Sequence, residues 1–301
     1  MRPLAALSLT VCVAGSAGCS IKTMAVKTVA STLAESGTTF TSDEDLQLVG
    51  DAIPFALKLY ESLLESVPKH VALLLATCSG FTQYAYAYVE TDAEALPSIR
   101  QAEIQALRDR ALKLYLRGRG YCFRAMNATF GAGTSEALVQ KPETAVAKAK
   151  REDVPLLYWT AASWGAAISL GLDRPEIAID LPTIRVLADR AISLDGGWGK
   201  GTLHELFISL DSLPEVLGGN PARAKEHFDK AVALHNGLSP APYVALASLA
   251  VNNQDRAEYE RLLKAALAID PDKDPANRLV TLVAQKRARM MLERVDDKFS
   301  K

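Results

Sequence analysis

Two stretches of nineteen residues, Val71–Val89 and Val154–Leu172, contain no charged side chain. A helix that is apolar on all sides is either embedded in lipid or enclosed by other helices. Both stretches are lean in Leu and Ile for a bilayer span. The first carries Thr77, Ser79, Gly80, Thr82, Gln83 and three tyrosines, and the second Pro155, Thr160, Ser163, Gly165 and Ser169. Such residues let helices approach closely, so we expect two interior helices wrapped by neighbours. The chain is large enough for that: 301 residues, 49% hydrophobic, with aromatics at only 7% and Ala and Leu abundant. That mixture favours helix over strand.

Helical spacing continues through most of the chain. Ser42-Asp43-Glu44-Asp45 offers an N-cap and an acidic first turn. Leu46, Val49, Ile53, Leu57, Tyr60 and Leu64 then recur every three or four residues. Pro54 is expected to kink or break this helix, and Pro68 to end it. A long helix over Ser98–Phe123 contains Arg108, Arg110, Lys113, Arg117, Arg119 and, just beyond it, Arg124. Gly131–Thr134 and Lys141-Pro142 read as a loop with room for a short strand. Further helices are expected at 143–150, 154–170, 175–194, 200–210, 221–234, 240–251, 255–269 and 275–295, several opened by proline. Short connections make this an all-α, antiparallel α-hairpin array.

Within the array, small residues, aromatics and prolines recur at tetratricopeptide-like spacing. Ala56, Tyr60, Leu63 and Pro68 form one set, and Tyr259, Leu263, Ala266 and Pro271 another. Ala224, Phe228 and Ala231 form a third, with Asn236 where proline is expected, and Ala188 and Ala191 a looser one. The spacing predicts a degenerate tetratricopeptide-like superhelix; a generic α-hairpin bundle is the alternative.

The N-terminus reads as an address. Arg2 precedes an uncharged run too short to span a bilayer, and Ser16-Ala17-Gly18-Cys19 resembles a bacterial lipobox, with Ser16 departing from the usual Leu. Residues 1–18 are therefore expected to be a signal peptide. Cys19 would be the lipid attachment site, 19–42 a lipid-anchored linker and 43–301 a single helical domain. Ser20 mildly favours the outer membrane. Cys78 and Cys122 lie in apolar helical stretches and are expected to be buried free thiols rather than a disulfide.

Lys+Arg number 34 against 35 Asp+Glu, so there is no basic field to gather nucleic acid. The four histidines, His70, His204, His227 and His235, show no metal-ligand spacing, and His204-Glu205 lacks the second histidine of an HExxH site. His70 and His235 are placed at helix ends and His227 on a polar face. Gly196–Thr202 lacks the Gly-Lys-Ser/Thr of a phosphate loop and reads as a turn, and Ser163 is in no GxSxG elbow. No catalytic, metal or cofactor site is expected. The sharper signal is aromatic: Tyr84 and Tyr88 with Phe81, then Tyr158, Trp159 and Trp164, then Trp198 and His204 with Phe207. Together with Gln83 these are candidates to wall an internal cavity for an apolar or amphipathic molecule. Arg108, Arg110, Arg117, Asn277 and Arg278 are candidates to meet an organic acid or an acidic partner, although a solvated face or a helix cap explains them as well.

Several segments resemble the T-component lipoproteins of tripartite ATP-independent periplasmic (TRAP) transporters: Ile53–Leu64, Gly80–Tyr86, Tyr115–Arg119, Tyr158–Trp164 and Asn277–Val280. The resemblance implies a periplasmic lipoprotein with a tetratricopeptide-like fold that cooperates with the transporter's solute-binding protein. It also implies a hollow or channel through the helices, and homo-oligomers. The expected role is thus solute uptake, holding or passing a small apolar or organic-acid ligand. The alternative is a scaffold lipoprotein for envelope assembly that binds peptides in its concave face and has a filled interior.

Overall fold

The computed structural model describes residues 15–35, 38–171 and 179–299. Its elements in chain order are α1 (Gly15–Glu35), α2 (Thr38–Thr41), α3 (Leu46–Ser66), α4 (Val71–Tyr84), a π-helical turn (Ala85–Glu90), α5 (Thr91–Ala95) and α6 (Gln101–Phe130). There follow α7 (Thr134–Gln140), α8 (Pro142–Val146), α9 (Val154–Ser169), α10 (Leu181–Leu194), α11 (Thr202–Asp211), α12 (Pro221–Leu234), α13 (Ala241–Asn252), α14 (Arg256–Leu267) and α15 (Arg278–Glu293). Among the described residues there is no strand. The room left for one near Thr134 is taken by α7, which starts after Gly131 and Gly133 turn the chain with positive φ.

The uncharged stretches become α4 and α9. Both pack on α6 and on each other, with Leu73, Leu74, Leu157, Ala161 and Trp164 sealed in one core. Close approach of α6 to α4 depends on Gly118, where a Cβ would lie 3.0 Å from the Cys78 carbonyl oxygen and from Thr82 Oγ1. One turn further along the same face of α6 comes Cys122, which is bonded to Cys78 as a disulfide, with their Cα atoms 5.4 Å apart. The expectation of two free thiols is therefore wrong. Neither the glycine contact nor the pairing of these two helices can be read from local spacing.

Two further expectations change. Pro54 sits inside an unbroken α3. The segment read as a linker is helical: α1 buries Ala30, Ser31 Oγ lies 3.1 Å from His70 Nε2, and the Tyr60 hydroxyl donates to the Leu33 carbonyl at 3.1 Å. Its Ala, Ser and Thr residues pack well because they are small. Residues 1–14 and the beginning of the 175–194 run lie outside the described residues, as does the side chain of Cys19.

In the C-terminal half, α11 with α12 and α13 with α14 form consecutive hairpins. The repeat-spaced residues Ala224, Ala231, Tyr259, Leu263 and Ala266 are all buried between helices. Where proline was expected, Asn236 (φ 53°) and Gly237 (φ 71°) end α12 in the left-handed region, and Gly237 N–H donates back to the Val232 carbonyl. The final helix α15 then returns to α2, α3 and α5, so the array closes on itself.

The disulfide closes a loop with a sequence separation of 44 residues. Loop entropy alone gives it about 4 kcal/mol of stabilisation. Replacing both cysteines by alanine should lower the urea midpoint correspondingly, and wild-type protein reduced before unfolding should match the double variant.

Candidate functional site

The closed array surrounds a chamber of about 1690 Å³, larger than most small-molecule pockets. Much of the wall is made of small residues on the uncharged helices, Ala72, Ala76 and Ser79 from α4 and Ala162, Gly165 and Ala166 from α9. Tyr88, Tyr158, Trp159, Trp198, Arg108 and Asn277 of the sequence candidates line it. Tyr158 meets Trp159 edge-on and Trp198 at a tilt, each with ring centroids 4.9 Å apart. Trp198 is carried by a turn in which Gly199, Lys200 and Gly201 all have positive φ.

Gln83 lines it as well, and the other candidates, Phe81, Arg110 and Phe207 among them, lie elsewhere. Trp164 is 1% exposed, held edge-on by Phe123 at 5.1 Å with Arg119 over its ring. Tyr84, the last residue before the π-helical turn, is not part of the chamber wall. It stacks on Tyr88 at 5.5 Å, under Arg110. Arg117 donates twice to Glu61 at 2.6 Å. Burial would raise the Glu61 carboxyl pKa, but hydrogen bonds from Lys58, Tyr121 and Arg117 outweigh it and hold it low. Arg278 bridges Asp272 at 2.6 Å and Glu44 at 3.5 Å. His204 is buried behind the wall.

Residues that spacing did not single out dominate the chamber's polar parts. Arg287 of α15, 8% exposed, donates to Glu94 Oε1 at 2.8 Å and to Glu90 Oε1 at 3.4 Å. It also reaches the Tyr86 carbonyl, left accessible by the π-helical turn, and its guanidinium lies 4.1 Å from the Tyr86 ring centroid. Glu90 accepts a further bond from the Tyr115 hydroxyl at 2.5 Å. Burial pushes the Glu94 carboxyl pKa up, with Arg287 working against it. Arg294 donates to the carbonyls of Glu94 and Leu96 at 2.7 and 2.9 Å. These contacts join segments about 200 residues apart and form the seam that closes the array. Across the chamber, His235 Nε2 donates to Glu205 Oε1 at 2.7 Å. The one sequence hint of this site was Tyr86, which falls in the Gly80–Tyr86 segment.

His70 is the N-cap of α4: its Nδ1 accepts from the Leu73 N–H at 3.2 Å. His227 is not on a polar face. It stacks on Phe207 at 4.6 Å and its Nδ1 lies 2.7 Å from Nδ1 of His204. Two imidazolium rings cannot share that contact, since each would present a proton to the other. Desolvation first, then the His227 charge, lowers the His204 pKa to about 4. No group of three or more metal-ligating side chains occurs among the described residues.

Because the His204 pKa lies below its unfolded value, the unfolded chain takes up the proton first. The contribution of His204 should be absent above pH 6.5, destabilise by roughly 3 kcal/mol as pH falls from 6.5 to 4, and change no further below. Urea titrations across this range should show the loss, and His204→Asn should flatten it. At the seam, Arg287→Met strands two partly buried carboxylates and should cost about 3 kcal/mol at most. Amide exchange should then accelerate in α5 and α15, and adding Glu94→Gln should recover part of the loss.

A protein of Treponema pallidum (strain Nichols), itself uncharacterised, is similar to this chain, with 29% identity over 302 residues and 94% of each chain covered. Residues 42–299, from just before α3 to the end of the described chain, match the family described as TRAP transporter T-component. No helix among the described residues is long and apolar enough to cross a membrane. The match takes in the chamber wall from α3 onward and the seam that closes it, and on that extent the chain belongs to the TRAP transporter T-component family.

Proposed function

We propose that this chain is a periplasmic lipoprotein, acylated at Cys19, that holds a small amphipathic molecule in its chamber and exchanges it with the solute-binding protein of a TRAP transporter. The observation that carries this reading is the chamber itself: about 1690 Å³, walled in large part by small residues and rings. The disulfide between Cys78 and Cys122 suits an oxidising compartment such as the periplasm. Family membership supports the partner. The scaffold alternative expects a filled interior, and a void of this size speaks against it.

Anchoring by acyl chains is compatible with the helical α1. The body would then sit close to the membrane surface, because α1 is fixed to α3 and α4 by Ala30, Ser31 and Leu33.

Two measurements test the proposal. Native mass spectrometry of protein from its own envelope should show a co-purified small molecule, and Ala162→Trp, which fills the chamber, should abolish it while preserving helicity. Titration with the solute-binding protein of the same transporter should give a complex in the micromolar range. Absence of both the small molecule and the complex would refute the reading.

A further inference from the structure

Charge is unevenly distributed within the chamber. Of the lining cations, Arg108 and Lys298 are exposed, and Lys200 is 65% exposed and reaches Asp274 at 3.8 Å. The interior cations are already engaged: Arg287 by Glu90, Glu94 and the Tyr86 ring, Arg294 by two carbonyls and by Asp297 at 2.9 Å. The interior acids Glu90, Glu94, Glu205 and Asp274 outnumber them. A carboxylate entering this space would meet no uncommitted interior cation and would lie near several anions.

Two hydroxyls in the same region make no hydrogen bond to any described residue. Tyr86 projects from the π-helical turn and Tyr158 from α9, and both line the chamber. Tyr86 is 40% accessible and borders the chamber, and burial raises its hydroxyl pKa. Burial also raises that of Tyr158, followed by the charge of Glu205 and the neighbouring Tyr86. All three line the chamber, and the Tyr158 ring lies 4.9 Å from that of Trp198, whose turn leads directly into α11, the helix that carries Glu205. Glu205 spends Oε1 on His235 and has Oε2 to spare. Three elements thus bring two unpartnered hydroxyls and a carboxylate to the wall of one chamber.

We infer that Tyr86, Tyr158 and Glu205 form a head-group subsite that selects amphiphiles whose polar end donates hydrogen bonds and carries no negative charge, an alcohol or an amine rather than a carboxylic acid. The inference rests on the proposed ligand-holding role of the chamber and narrows it. The alkyl part lies along Trp159, Trp198 and the small residues of α4 and α9. The head donates to Glu205 and exchanges hydrogen bonds with the two phenols.

The test is competition against the neutral fluorophore N-phenyl-1-naphthylamine, bound to the full chain at pH 7.5, by dodecanol, dodecylamine and dodecanoate. Dodecanol and dodecylamine should displace it at concentrations at least tenfold lower than dodecanoate. Glu205→Gln should narrow the gap by improving dodecanoate, and Tyr158→Phe, which leaves the Glu205–His235 pair intact, should weaken dodecanol. Equal displacement by all three, or a preference for dodecanoate, overturns the inference and leaves the chamber reading standing. Fluorophore binding that none of the three disturbs, or no binding at all, overturns both.

Discussion

A helix without a charged face cannot border water along its length, and α4 and α9 impose that constraint on everything around them. Each gives one side to α6, where Leu73, Leu74, Leu157 and Trp164 fill the core. Each presents small residues on its remaining side, Ala72, Ala76 and Ser79 on α4 and Ala162, Gly165 and Ala166 on α9. Large residues there would fill the space between these helices and α13 and α15. The chamber is therefore a property of side-chain size on the inner faces, and the outer hairpins serve to keep those faces away from bulk water.

Closing the array is a separate problem, and polar contacts solve it. Where α15 meets α5 and the π-helical turn, Arg287, Glu90, Glu94 and Tyr115 bind one another. Buried ions contribute little net stability, because desolvation offsets most of their attraction. Their geometry is demanding, however, and an apolar seam would slide where this one cannot. The π-helical turn belongs to the same arrangement: it leaves the Tyr86 carbonyl free for Thr91 and Arg287 and swings the Tyr86 ring beneath the guanidinium.

Local features were legible in the sequence where they depend on residues a few positions apart. The uncharged helices, the hairpins after Thr202 and the buried Ala and Tyr positions of the repeat all follow from spacings of three to five. Trp164 illustrates the limit: its helix was expected to be interior, but whether a ring on it faces the core or the chamber depends on α6 and Phe123, not on α9. Tyr84 stacks on Tyr88 yet lies outside the chamber, under Arg110 of α6, a placement that likewise depends on a neighbouring helix. Longer-range pairings were not legible at all. Cys78 meets Cys122 because Gly118 lets two helices touch, and Arg287 meets Glu90 and Glu94 because the rotations of all intervening hairpins add up to a closed array.

On the proposed reading, in which the chamber takes up and releases a ligand, the division between apolar wall and polar subsite has an energetic consequence. Each methylene removed from water contributes about 0.8 kcal/mol, so an alkyl chain of ten or more carbons supplies ample gross affinity from the wall alone. Hydrogen bonds that merely replace those to water add about 1 kcal/mol each. A polar subsite of two phenols and a carboxylate therefore does little for tightness. It acts mainly against ligands whose head group cannot be accommodated, since an unsolvated charge without a partner is far more costly than a missing hydrogen bond. Selectivity by exclusion leaves release controlled by the apolar contacts, which depend on how firmly the walls close, and in this molecule that closure is set at the Arg287 seam.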